Sequence, residues 1–169
     1  MMKKSTTIIT AVVMVVVLGL LLVVYMQGNA SEPVSGDMTI ELYNAPASIH
    51  RGNLTVWTND GGKWTYTTTD NGGNTTWMFK GLTDMTSSYD MLMAASSIAG
   101  FTVEKDSQPI GLLVTAIDGI ENNDPGISNG ERAWQFLVDG KYANRACNKY
   151  PISDGSEVSW KYMPNQFNL

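Results

Sequence analysis

The chain has 169 residues, 43% of them hydrophobic, with 16 acidic residues against 11 Lys and Arg and a formal net charge of −5. That length allows one ordinary domain plus terminal additions, and the acidic balance excludes a general nucleic-acid role, because phosphate binding needs clustered Lys and Arg. A single cysteine, Cys147, excludes an intrachain disulfide, so the fold has to rest on its core, in which Cys147 reads as a small buried hydrophobe.

Ile8 to Met26 (IITAVVMVVVLGLLLVVYM) is uncharged and almost wholly apolar. As a helix it spans roughly 28 Å, close to the ~30 Å hydrocarbon core of a bilayer. Lys3 and Lys4 precede it and the residues just after it carry only acids, which directs the N-terminus inside and the rest of the chain outside. Gly28 and Ala30 also suit cleavage before Ser31, so residues 1–30 read either as a signal-anchor or as a signal peptide. The expectation is a single-pass membrane protein with an extracytoplasmic C-terminal domain, secreted if the segment is cleaved. Residues 31–36 form a short tether and 37–169 the domain.

Met38 to Tyr43 (MTIELY) alternates as a half-buried strand does. The runs NLTVWT and KWTYTTT flank Asn59-Asp60-Gly61-Gly62, residues that accept positive φ, and so form a hairpin. TTWMFKGL reads as the third strand of the same meander. The one helical segment starts at Ser87 or Ser88, has Asp90 in its first turn, places Tyr89, Leu92, Met93 and Ser96 on one side, and stops at Gly100. FTVEKD and GLLVTAID are strands, followed by a polar loop and by WQFLVDGKYA, a hairpin about Asp139-Gly140. SEVSWKYM is the last strand, with Val158, Trp160 and Tyr162 on one face. A small, twisted, mostly antiparallel sheet on one helix is the economical α+β solution.

Little in this pattern suggests catalysis. His50 is the only histidine and has no partner spacing for a transition metal, and no nucleophile elbow, HExxH or Gly-rich phosphate loop occurs, so no enzyme activity and no required cofactor are expected. Oxygen ligands crowd residues 118–131, where a calcium site competes with a plain solvated loop. Asn53 and Asn74 stand in N-glycosylation sequons. Trp57, Trp77 and Trp160 read as core or cross-strand pairs. Trp134 and Gln135 differ, because consecutive strand residues face opposite sides and only one of those faces is core.

The ordered set AGFTVE, VTAIDGIEN, AWQFLVDGKYA and NKYPISDGSEVSWKY, over residues 100–162, resembles the transcobalamin-like C-terminal domain family, also known as a domain of unknown function in microbial surface proteins. The resemblance implies a β-grasp-like sheet with one helix. It also implies a ligand-binding role for Trp134, Gln135, Tyr142 and Asn144, since in the animal cobalamin carriers this domain forms one half of the corrinoid site. Trp134 and Tyr142 would supply apolar cover, Gln135 and Asn144 hydrogen bonds to corrin amides. This chain has no room for the large helical domain that closes the site in those carriers, so a lone half-site binds weakly or needs a surface or transporter partner. Two readings stand: a surface binding module with cobalamin as its ligand, and a structural or protein-interaction module with no small ligand.

Overall fold

The computed structural model describes residues 13–19, 32–42, 52–122 and 132–164. The chain divides into two units, residues 1–32 and 33–169. In the first, residues 13–19 are helical and exposed. Among the described residues no helix is long and apolar enough to cross a membrane. The rest of the predicted span, 8–12 and 20–26, lies outside the described residues, as do His50 and the loop 123–131.

The second unit is β-rich, more sheet than the α+β expectation implied. Its elements run β1 (Val34–Glu41), β2 (Asn53–Asp60), β3 (Lys63–Asp70), β4 (Thr76–Met85), helix α1 (Ser88–Ala99), β5 (Val103–Gln108), β6 (Gly111–Ile117), β7 (Ile120–Glu121), β8 (Arg132–Val138), β9 (Lys141–Tyr142) and β10 (Ser156–Pro164). Seven strands form one sheet in the order β3-β2-β4-β1-β10-β8-β9, and β5-β6-β7 form a second. The pairs β1–β10 and β2–β4 are parallel, the remainder antiparallel.

The β2–β3 hairpin turns at Gly61 and Gly62, both at positive φ, with the Gly62 N–H donating to the Asn59 side chain at 2.8 Å. The expected meander is not formed. β4 crosses back to lie parallel to β2 and beside β1, because β4 carries Phe79 and Leu82, both buried, whereas β3 is threonine-rich and exposed. A central position removes those apolar side chains from water, at about 1.5–3 kcal/mol each. The crossing turn is held by Asn71, whose side-chain amide donates to the Asn74 carbonyl at 2.9 Å and to the Thr76 hydroxyl at 3.2 Å.

Helix α1 is capped as its sequence requires: the Ser87 hydroxyl accepts from the Asp90 N–H, and Gly100 at φ 78 donates its N–H to the Ser96 carbonyl. Its buried face differs from the expected one. Ser88, Met91, Leu92 and Ala95 are buried while Met93 is 39% exposed, because apolar residues surround the helix and leave the choice of face to the sheet beneath.

The core lies on one face of the large sheet. Met38, Ile40, Phe79, Val158, Trp160 and Tyr162 meet Met91, Leu92 and Ala95 of α1 and Val114, Ile117 and Ile120 of the small sheet. β1 begins at Val34, inside the stretch expected to be a tether. The Ser35 N–H donates to Asp154 and the Ser35 carbonyl accepts from Gly155, which ties this stretch to the start of β10. A Cβ on Gly36 would lie 2.5 Å from the Ser156 carbonyl oxygen, so the parallel strands approach here as only glycine allows.

Candidate functional site

Strand β8 is antiparallel to β10, with Trp134 opposite Tyr162, Gln135 opposite Lys161 and Phe136 opposite Trp160. Alternation sends Trp134, Phe136 and Val138 to the core face and Gln135 and Leu137 to the other. Trp134 is 4% exposed, donates its indole N–H to the Ile120 carbonyl at 2.7 Å, and has its ring 5.3 Å from that of Tyr162. It is a core residue in every contact it makes.

Gln135 lies on the far face and is nonetheless 7% exposed. Its side-chain N–H donates to the Pro164 carbonyl at 2.8 Å, but among the described residues its buried Oε1 has no hydrogen-bond partner. A buried acceptor left unmet costs about 1–3 kcal/mol, which is uncommon enough in native proteins to require an explanation. Across the strand from Gln135, Lys161 is bridged to Glu41 at 3.0 Å and is therefore not aimed at the amide oxygen.

The turn at Asp139 and Gly140 has φ 51 and 73, which gives the tight hairpin read from the sequence. The Asp139 carboxylate also accepts the Glu157 N–H at 2.9 Å, pinning the turn to β10. Beyond it, Tyr142 pairs with Leu137, which places it on the Gln135 face at the sheet edge, with its hydroxyl 3.3 Å from the Met163 sulfur. Asn144 is exposed in the bend after β9. Gln135 and Tyr142 thus share one face, Trp134 lies on the opposite one, and Asn144 sits past the strand end.

Asn53 is half-buried at the start of β2, and Asn74 is exposed in the crossing turn. Of the acidic loop, Asn122 is committed to the fold, donating to the Val114 carbonyl and accepting the Trp134 backbone N–H. Among the described residues no group of three or more His, Cys, Asp or Glu is placed to hold a metal. Cys147 is buried, with its thiol pushed up to about 11 by desolvation, and its Sγ lies 3.4 Å from the Leu112 carbonyl. It is held as a protonated thiol.

Trp160 is core and Trp57 pairs across strands with Tyr66 and Phe79, as expected, while Trp57 and Trp77 are half-buried and also line an open groove. The signal that would have found them is the threonine content of β3. An edge strand with no bulky aliphatic side chain leaves the neighbouring tryptophans uncovered.

Residues 87–163 match the family described as Domain of unknown function (DUF4430), and the resemblance read over 100–162 falls inside that segment. Solved structures similar to this chain include the following two. A protein from Ruminococcus gnavus ATCC 29149, described there as a proposed metal binder, is 18% identical with a TM-score of 0.40, over 68% of this chain and 99% of that one. Haptocorrin in complex with Cbi is 16% identical with a TM-score of 0.42, over 80% of this chain and 26% of the haptocorrin chain. No curated protein sequence matches the chain.

Proposed function

We propose that this chain, in which residues 87–163 form a domain of the DUF4430 family, is a non-catalytic binding module that takes an amide-bearing planar ligand such as a corrinoid at the β8–β9 edge. The observation that carries this reading is the buried, unpartnered Oε1 of Gln135 on the face that Tyr142 edges. A ligand amide reaching that oxygen supplies the donor that the protein lacks, and Tyr142 adds a ring at the rim. The Trp134 ring is outside this site and supports it from the core. The apolar segment 8–26, as an anchor or as a cleaved signal, supports a place for the module on the outer side of a membrane, and closure of a half-site calls for a second component.

Titration of the full chain with cobalamin, followed by the corrin absorption, tests this. A saturable spectral shift is expected, weakened about tenfold in Gln135→Met while the melting temperature is kept, since an apolar side chain of similar length relieves the orphan oxygen. No shift up to high micromolar ligand, or unchanged binding by Gln135→Met, rejects the corrinoid reading.

A second reading, a protein-interaction module, is favoured by β3. This edge strand of the large sheet is eight residues long and almost wholly exposed, so it presents free backbone groups to an incoming strand. A proline at Thr68, whose N–H points away from β2 in the hairpin register, abolishes such pairing if this reading holds and leaves cobalamin binding unchanged.

A further inference from the structure

On the core side of the large sheet, past the end of α1, the rings of Trp57, Tyr66, Trp77 and Phe101 line an open groove of about 280 Å³. Trp57 and Trp77 stand nearly perpendicular, at 84° with centroids 6.4 Å apart, while Tyr66 is tilted 41° to Trp57 at 5.9 Å and is 67% exposed. Phe101 backs Trp77 at 5.3 Å. Two ring planes at right angles with a third beside them form walls on several sides of a small volume.

The polar lining is equally specific. The hydroxyls of Thr55 and Thr68 lie 3.2 Å apart and hydrogen-bond to each other, which leaves one hydroxyl hydrogen between them. Among the described residues Asp118 is the only charged side chain on the wall, and its backbone is fixed by an N–H donated to the Thr102 carbonyl at 2.8 Å. Its carboxylate pairs with no cation among the described residues. Ala99 and Gly100 bring the C-terminus of α1 to the rim, and the last turn of that helix carries no basic residue, so the negative end of the helix dipole adds to the carboxylate.

We infer that this groove binds a quaternary ammonium group. Ring faces attract a cation through their quadrupole, and desolvated contacts of this kind are the strong ones. A methylated ammonium offers no N–H and needs no acceptor in line, so a carboxylate at the rim and aromatic walls suffice. An anion finds only negative charge here. A sugar finds almost no donors for its hydroxyls. The groove lies on β2, β3 and β4, with α1 and two loops at its rim, and on the face opposite Gln135, so the inference does not depend on the corrinoid reading.

The test uses the purified full chain in a polyoxyethylene detergent, titrated with choline chloride against tryptophan fluorescence. Parallel titrations use sodium chloride, the neutral isostere 3,3-dimethyl-1-butanol, and glucose. Saturable quenching by choline in the millimolar range is expected, with the alcohol about tenfold weaker. Asp118→Asn should cost choline about tenfold and the alcohol nothing, and Tyr66→Ala should cost choline about fivefold. Asp118 has φ 51, which asparagine tolerates, and Tyr66 is exposed, so both variants keep the melting temperature. Equal binding of the alcohol, an unaffected Asp118→Asn, or saturation by glucose without choline each overturns the assignment.

Discussion

At the scale of the residue, neighbours in sequence have opposite fates. Trp134 and Gln135 are adjacent and both buried, yet one fills the core with its N–H satisfied and the other holds an unmet oxygen on the far face. Trp134→Ala is expected to destabilise the protein by about 3–5 kcal/mol, read from denaturant unfolding, so its effect on any ligand would report folding. Gln135→Met separates the two properties. Cys147 adds a pH dependence. Its thiol stays protonated in the folded protein up to about 11, above its ordinary value of 9.0, so between these pH values the unfolded chain releases a proton that the folded one keeps. Stability therefore falls as pH rises through that window, and Cys147→Ala removes that part of the decline. Thiol alkylation at pH 8 should be slow in the native protein and fast once it is unfolded.

At the scale of the element, boundaries and turns were legible because they depend on residues close in the chain. Ser87 and Gly100 delimit α1 by capping chemistry, and Ser87→Ala is expected to cost about 1 kcal/mol in thermal unfolding. Gly61-Gly62 and Asp139-Gly140 mark hairpins because they accept positive φ. The buried side of α1 was not legible, because Met91 and Met93 are equally apolar and only the sheet selects between them. Gly111 is a second case. At φ 138, with an added Cβ only 2.4 Å from the Ala146 side chain, it packs the start of β6 against the loop that carries Cys147. Gly111→Ala is expected to lower the melting temperature by several degrees, roughly a 1–3 kcal/mol loss.

At the scale of the whole molecule, β10 is the element on which the large sheet depends. It lies between β1 and β8, pairs with both, and carries Val158, Trp160 and Tyr162 into the core. Ending the chain after Asp154 should therefore abolish cooperative unfolding by circular dichroism, whereas removing β3 side chains one at a time should change little. The strands, the capped helix, the two tight hairpins, the alternation in β10 and the family resemblance over residues 100–162 were legible in the sequence, since all rest on local periodicity, turn chemistry or an ordered run of residues. Only the tertiary structure decided that β4 pairs with β2 and β1, that β5 to β7 form a separate sheet, that Trp134 and Gln135 part company, and that Trp57 and Trp77 border a groove. The physical reason is that these outcomes depend on which surfaces cover one another. That is settled by pairings such as Gly36 with Ser156, which bring opposite ends of the unit together and leave no mark on either segment alone.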